Sequence, residues 1–381
     1  MSMVEWKKLG EVCEVLRGRA LSKKDVGQGD YPIILYGELY TTYGDYIDEI
    51  KSYTSQEKAS EATKLNFLDL ILPVSSTTKE AQIGKVSVVR TKMNVSLGSD
   101  AIILRNSFNP SFLMYYLNSK LFEQMKMNCV SGTTIMHLSP SKLVDNKIPI
   151  PSLSEQERIV GILDTFTASI DNLKAQIAQR RKQYEFYRDQ LLDLEGKEGV
   201  EMKTLGDVGE ICMCKRIMKE QTSDNGDIPF FKIGTFGGKA DAYITRELFE
   251  DYKTKYSYPQ KGEILLSAAG TIGRSVIYDG EDAYFQDSNI VWIANDEKLL
   301  SNKFLYYYYQ VIDWKIDGGT IKRLYNYNLK NAVVPVPSLQ EQHRIVYILD
   351  TFESSIQNLE AQLKQREKQY EYYRNKLLTF E

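Results

Sequence analysis

IPIPSLSEQERIVGILDTF opens residues 148–195, and VPVPSLQEQHRIVYILDTF opens residues 334–381. Aligned without a gap to their ends, the two segments are identical at about two-thirds of positions, an internal repeat that organises the whole chain. A weaker repeat joins Trp6-Lys7-Lys8-Leu9-Gly10-Glu11-Val12 to Met202-Lys203-Thr204-Leu205-Gly206-Asp207-Val208. The 381 residues thus run as variable block, shared segment, variable block, shared segment, with the first block about ten residues longer than the second.

Each shared segment carries helix-start signals. Pro151 precedes Ser152-x-x-Glu155, and Pro337 precedes Ser338-x-x-Glu341, the pattern of a capping box. Apolar or aromatic residues then recur at Ile159, Leu163, Phe166, Ile170, Leu173, Ile177, Tyr184, Tyr187, Leu191 and Leu194. The second copy repeats them at Ile345, Leu349, Phe352, Ile356, Leu359, Leu363, Tyr370, Tyr373, Leu377 and Phe380. Spacings of four and three make the seam of a left-handed coiled coil. Its one non-conforming position is arginine in both copies, Arg180 and Arg366. Such a residue either fixes register, faces another subunit, or lies across the seam with its head in water.

Two such helices in one chain meet each other before any foreign partner, because their effective concentration is high. Similar flanking blocks imply a pseudo-two-fold axis, which requires the helices to run antiparallel. About 40 residues at 1.5 Å each give a rod of roughly 60 Å, a molecular ruler with one block at each end. The expected fold class is α+β: two similar strand-rich domains separated by an antiparallel two-helix coiled coil. The expected boundaries are 1–150, 151–196, 197–336 and 337–381.

Both blocks read as mixed. Short apolar runs at 31–36, 68–74, 85–89 and 101–104 are echoed at 228–233, 263–267, 275–278 and 290–294, separated by Gly, Asn and Asp turns. Helical patches follow at 111–127 and 302–312. The run Tyr306–Tyr309 lies on the second, where consecutive side chains point in different directions, so it predicts packing plus a wet face.

Two loops share a frame between blocks but differ in side chains. One is Gly132-Thr133-Thr134-Ile135-Met136-His137-Leu138 against Gly318-Gly319-Thr320-Ile321-Lys322-Arg323-Leu324, followed by Ser139-Pro140-Ser141-Lys142 against Tyr325-Asn326-Tyr327-Asn328. The other is Ile83-Gly84-Lys85 against Ile272-Gly273-Arg274, each after a polar or small loop that includes Thr77, Thr78, Lys79 and Gln82, or Ser267 and Thr271. A common backbone with different polar tips suits two readers of different DNA sequences. Arg323 fits a guanine edge and Asn326 or Asn328 an adenine edge, while Lys85, Arg274, Lys142 and Lys322 suit phosphates. The competing explanation is surface loops diverging freely after duplication.

Composition bounds these readings. An apolar fraction of 43% with 26% charged residues is ordinary for a globular protein. A net charge of -3 argues against a uniformly basic DNA coat, so any DNA surface must be a local patch. Cys13, Cys129, Cys212 and Cys214 are scattered and read as reduced thiols. No run of about eighteen apolar residues and no leader pattern stands in the sequence, so a cytoplasmic protein with no membrane contact is expected. With only His137 and His343, and no clustered ligands, neither a metal site nor histidine-based catalysis is supported. No phosphate-binding G-x-x-x-x-G-K-[ST] loop is present. Asn109-Pro110-Ser111-Phe112 lacks the second proline of an adenine-methyltransferase tetrad and reads as a turn into a helix.

The whole order resembles the specificity (S) subunit of type I restriction–modification systems. The residues that carry the resemblance are Pro149-x-Pro151-Ser152-Leu153-x-Glu155-Gln156-x-x-Ile159-Val160 and their copy, Pro335-x-Pro337-Ser338-Leu339-x-Glu341-Gln342-x-x-Ile345-Val346. Gly262-Glu263-Ile264-Leu265-Leu266-Ser267, continuing to Gly270-Thr271-Ile272-Gly273-Arg274, is similar to the family's reading-domain signature, from which residues 67–82 depart. The resemblance implies two target-recognition domains, each reading half of a split double-stranded DNA site. It implies helices that set the spacer and recruit two methyltransferase subunits using S-adenosylmethionine. Restriction subunits are a further implied partner, adding ATP and Mg²⁺ dependence. The chain itself would be non-catalytic and bind none of these cofactors. Two other readings stay open: a coiled-coil scaffold or adaptor without nucleic acid, and a stand-alone DNA-binding regulator.

Overall fold

The computed structural model describes residues 4–77, 83–316 and 322–380. The chain forms two compact units, Met1–Lys174 with Ala361–Glu381, and Ala175–Glu360. The first long helix, Leu153–Leu192, starts in one unit and ends in the other, and the second, Leu339–Leu378, does the reverse.

In the first unit a five-stranded sheet runs in the order Cys13–Arg17, Ala101–Asn106, Leu70–Pro73, Ser87–Val89, Tyr46–Ile47. A four-stranded sheet runs Ser52–Thr54, Tyr31–Ile34, Val95–Leu97, Thr63–Leu65. In the second unit the four-stranded sheet is Gly209–Cys212, Ile290–Asn295, Ile264–Ser267, Ser275–Ile277, and the three-stranded one is Tyr243–Ile244, Ile228–Phe231, Tyr284–Phe285. Ala101–Asn106 and Ile290–Asn295 hold the same central place, antiparallel to the strand on either side.

The weaker sequence repeat is explained by a closing ribbon. Glu5–Lys8 pairs antiparallel with Lys147–Ile150, and Glu201–Thr204 with Val333–Val336, so each domain's first strand clamps the strand that feeds its long helix. A two-stranded ribbon tolerates Pro149 and Pro335, since proline lacks only the donor that a further strand would need.

Both long helices start as their sequence requires, with one change. Ser152 Oγ accepts from the N–H of Glu155 at 3.4 Å, and Ser338 Oγ from that of Glu341 at 3.2 Å. The reciprocal half of the expected capping box is displaced. Glu155 gives both carboxylate oxygens to Arg158 at 2.8 and 2.7 Å, and Glu341 does the same with Arg344. A bidentate guanidinium competes well with one backbone N–H.

Within the first unit, Phe166 stacks on Tyr373 at 5.4 Å and approaches Tyr370 at 6.4 Å, while Lys174 pairs with Glu367 at 3.9 Å. Partners fall in number as the first helix advances, so the segments are antiparallel. The second unit repeats the arrangement with Tyr187 on Phe352 at 5.5 Å and Arg181 paired with Glu360. All the seam positions Ile159, Leu163, Phe166, Ile170, Leu173, Ile177, Tyr184, Ile345, Leu349, Phe352, Ile356, Leu359, Leu363 and Tyr370 are buried or half-buried. The seam arginines are half-buried too, with Arg366 5.7 Å from the Phe166 ring and Arg180 5.7 Å from the Phe352 ring. Each guanidinium thus meets an aromatic ring of the opposing helix, a favourable cation–π geometry that accommodates charge in the seam.

Each domain core takes the start of one long helix and the end of the other: Ile159, Leu163 and Leu378 in the first, Ile345, Leu349 and Leu192 in the second. The expected single helical patch of 111–127 is two helices, Pro110–Leu117 and Lys120–Met127. They break because Asn118 pairs its amide with both the N–H and the carbonyl of Val86 at 2.8 Å, and Ser119 caps the next helix. The second patch is helical over Asn302–Tyr308, with Tyr307 and Tyr309 buried and Tyr306 and Tyr308 half-buried.

Candidate nucleic-acid interface

The two loops singled out in each domain lie about 50 to 60 residues apart in sequence, and the fold joins them. In the first domain Ser75–Ser76 pairs with Met136–Leu138, His137 opposite Ser75, and the N–H of Leu138 donates to Val74 O at 2.8 Å. In the second, Leu324 N–H donates to Ala268 O at 2.9 Å. Each domain thus presents one polar rim built from both loops.

On the first rim Thr77, Thr133, Thr134, His137 and Lys142 are exposed. Ser139 is half-buried and caps the short helix Pro140–Val144 through the N–H of Lys142. Lys85 is half-buried and its Nζ donates to Tyr43 O at 3.0 Å. On the second rim Thr271, Arg274, Lys322, Tyr325 and Asn326 are exposed and Arg323 is half-buried. Arg274 donates through Nη1 to Phe236 O at 2.9 Å, the counterpart of the Lys85 tether. Thr78, Lys79, Gln82 and Thr320 lie outside the described residues.

Two expected contacts are corrected. Asn328 is buried, and its Oδ1 accepts from Tyr325 N–H at 3.0 Å, capping the helix Asn326–Asn331; it is not presented to an adenine edge. Ser267 is buried, with its Oγ donating to Thr271 O and accepting from Arg274 N–H at 2.9 Å, so it shapes the loop from inside.

Gly84 and Gly273 explain the shared Ile-Gly-Lys/Arg frame. Both have positive φ, 69° and 84°. A Cβ at Gly84 would meet Leu138 and Lys126 side chains at 2.9 and 3.1 Å, and one at Gly273 would meet the Trp314 ring at 2.7 Å. Beneath the first loop, Lys126 is 1% exposed and donates to Gly84 O at 3.2 Å and Leu117 O at 3.3 Å. Burial pushes its amine down to about 8. Tyr40, whose phenol braces Ser75 O at 3.1 Å, is pushed up to about 12 by burial.

The structure adds a feature that sequence reasoning missed. Behind Arg323 lies a cleft of about 700 Å³ lined by Arg216, Lys219, Lys232, Gln286 and Asn289 among others. Arg216 pairs with Asp287 at 2.9 Å and Lys232 with Asp241 at 2.8 Å, so the cleft offers oriented donors more than a bare positive field. Its sequence signal was the cation-rich stretch Lys215-Arg216-x-x-Lys219. The first domain has a cleft of about 670 Å³ bounded by Lys23, Leu35, Tyr36 and Asp100, with more apolar walls. Both are built against the short 3₁₀ turns Lys23–Asp25 and Lys219–Gln221 and the turn before the central strand.

Against known families, the description that matches is the type I restriction modification DNA specificity domain, over residues 1–180 and again over 197–367. The chain belongs to that family. A putative type I restriction enzyme specificity subunit of Haemophilus influenzae is 50% identical to this specificity subunit over 289 residues, 72% of this chain and 74% of the relative. A solved S subunit from M. genitalium superposes with a TM-score of 0.58 at 16% identity, covering 100% of this chain and 97% of its own. A chain from a structure of type I R-M complex assembly and conformational transition gives 0.64 at 18% identity, covering 99% and 98%. These two likenesses speak to the fold. The specificity subunit is the DNA-recognition component of a type I system and not its catalytic part. Among the described residues no helix is long and apolar enough to cross a membrane.

Proposed function

We propose that this specificity subunit reads a bipartite duplex DNA target, one domain per half-site, and scaffolds two methyltransferase subunits on its long helices. The observation that carries the reading is the polar rim built twice on one backbone frame with different side chains: His137, Ser139 and Lys142 in one domain, Arg323, Tyr325 and Asn326 in the other. Equal frames with unequal tips are what two unlike half-sites require. Phe186 and Tyr372 hold equivalent positions in the helix repeat and are 62% and 60% exposed, which supports two like docking sites for two copies of one partner. On this reading S-adenosylmethionine is carried by the methyltransferase subunits, and ATP and Mg²⁺ by restriction subunits that join them.

The test is methylome sequencing of cells expressing this chain with its methyltransferase partner, beside a duplex-DNA shift at several salt concentrations. The expected result is a split methylated motif and sequence-selective, salt-dependent binding. A chain that leaves no motif and selects no duplex would be a scaffold instead. Selective binding without methyltransferase co-purification would make it a regulator.

A further inference from the structure

Leu138 and Leu324 hold one place in the two domains, since each donates its backbone N–H to the residue just beyond the strand Leu70–Pro73 or Ile264–Ser267. The residues before them, His137 and Arg323, are therefore structural counterparts. Each is also held by its own domain. His137 Nδ1 lies 3.1 Å from Ser75 Oγ, which lies 3.0 Å from Asp100 Oδ1, in the turn before the central strand. Arg323 donates through Nη2 to the carbonyl of Ser288, in the matching turn.

Hydrogen-bond bookkeeping fixes the chemistry each side chain offers. A carboxylate only accepts, so the single hydroxyl hydrogen of Ser75 goes to Asp100. The Ser75 oxygen then receives from His137, which places the imidazole hydrogen on Nδ1. The neutral ring is left with Nε2 as an acceptor. Arg323 is the reverse, a planar group with donors only. The same place thus carries an acceptor in one domain and donors in the other, each anchored so that it does not swivel. A phosphate contact needs no such anchoring and has no use for an acceptor.

We propose that this position is the base-reading position of both domains. Arg323 takes guanine through N7 and O6 in one half-site. His137 takes the exocyclic amino group of adenine or cytosine through Nε2 in the other. The inference rests on the split-target reading above, and each contact is worth about 10- to 100-fold discrimination at one base pair.

The experiment is methylome sequencing of the full chain with its methyltransferase partner, comparing wild type with Arg323→Ala, Arg323→Lys, His137→Ala and His137→Arg. Arg323→Ala is expected to relax one guanine in one half-site only. His137→Ala is expected to relax one adenine or cytosine in the other half, and His137→Arg to move that preference to guanine. Both histidine variants change an exposed side chain, and Arg323→Lys keeps the cation should the alanine variant fold poorly. An unchanged motif in the histidine variants and in Arg323→Lys overturns the inference. So does a uniform loss over all sites in soluble, folded variants, which would make these residues phosphate contacts. A wild-type chain that yields no split motif overturns the underlying reading as well, so the two failures are distinct.

Discussion

Tyr115 donates its phenolic hydrogen to Asp164 at 2.6 Å, tying the helix Pro110–Leu117 to the first long helix. Tyr307 makes the same bond to Asp350 on the second. The two aspartates are one residue of the repeat, the Asp of Leu-Asp-Thr-Phe. Burial holds both phenols far above the ordinary tyrosine range, with the carboxylate adding to it, so both stay donors. Asp164 also accepts from Tyr46 at 2.7 Å, and Asp350 pairs with Lys303 at 2.9 Å. The repeat therefore preserves a polar joint between domain and helix as well as an apolar seam.

We predict that Tyr115→Phe destabilises the first unit, and Tyr307→Phe the second, by about 1.5–3 kcal/mol each, the range for hydrogen bonds to charged groups. Urea denaturation of the full chain measures this. Losses below about 0.5 kcal/mol in both variants would show the bonds to be neutral on balance.

Gln156 and Gln342 form the second joint. Gln156 is 2% exposed, donates to Pro151 O at 2.9 Å and accepts from Asn109 N–H at 3.2 Å. Gln342 donates to Pro337 O and Leu299 O at 2.9 and 2.8 Å and accepts from Ser301 N–H at 2.8 Å. Replacing either with leucine leaves buried backbone groups unpaired, at about 1–3 kcal/mol apiece. Gln342→Leu should therefore cost more than Gln156→Leu in the same denaturation experiment. The reverse order would mean that Leu299 O finds another partner.

These joints show what the sequence could and could not disclose. The seam was legible because heptad spacing is a local, periodic signal, and all the named seam residues except the exposed Tyr187 and Tyr373 are at least half-buried. The Gln of the Pro-x-Pro-Ser motif was visible as a repeat, but its partner Asn109 lies 47 residues away, and spacing says nothing of such contacts. The helix break at Asn118 was hidden for the same reason, since its cause is the backbone of Val86, 32 residues earlier and just before the strand Ser87–Val89. Shared loop frames did point to the rims. They did not separate presented side chains from capping ones, so Asn326 and Asn328 looked alike until one was found buried. The cleft at Arg323 gathers residues from five separate stretches of chain, which no local pattern reveals.

Lys126 gives a pH test. Its folded value, about 8, lies below the ordinary 10.5, so the folded state pays the full burial cost below pH 8. Between pH 8 and 10 Lys126 holds more protons unfolded than folded, so its own contribution to stability rises with pH, while above pH 9 the buried Cys13 and Cys214, pushed up to about 12, pull the other way. Above pH 10 the buried Tyr40, Tyr43, Tyr46 and Tyr116, each pushed up to about 12, act oppositely and stability falls. We predict that Lys126→Met removes the rise that Lys126 contributes, while the two carbonyls left without their donor, Gly84 O and Leu117 O, offset what is gained at pH 7 by removing a buried cation. Subtracting variant from wild-type stability at pH 7, 8, 9 and 10 isolates the residue. A flat difference across that range would contradict the assignment.

The long helices supply the last prediction. Each has 40 residues, and removing seven from each keeps the seam in phase, because the apolar pattern repeats every seven. One heptad is about 10 Å of helix, and a base pair of duplex DNA rises 3.4 Å. If the helices act as the ruler proposed for them, the double deletion shortens the unspecified spacer by about three base pairs and leaves both half-sites as they were. Deleting two residues from each instead turns everything beyond the cut by about 200°, so that apolar positions face water, and should abolish methylation through loss of packing. Methylome sequencing of the two deletions side by side decides the matter: an unaltered spacer in a folded, active heptad deletion would mean that the spacer is set elsewhere, by the methyltransferase subunits or by the DNA itself.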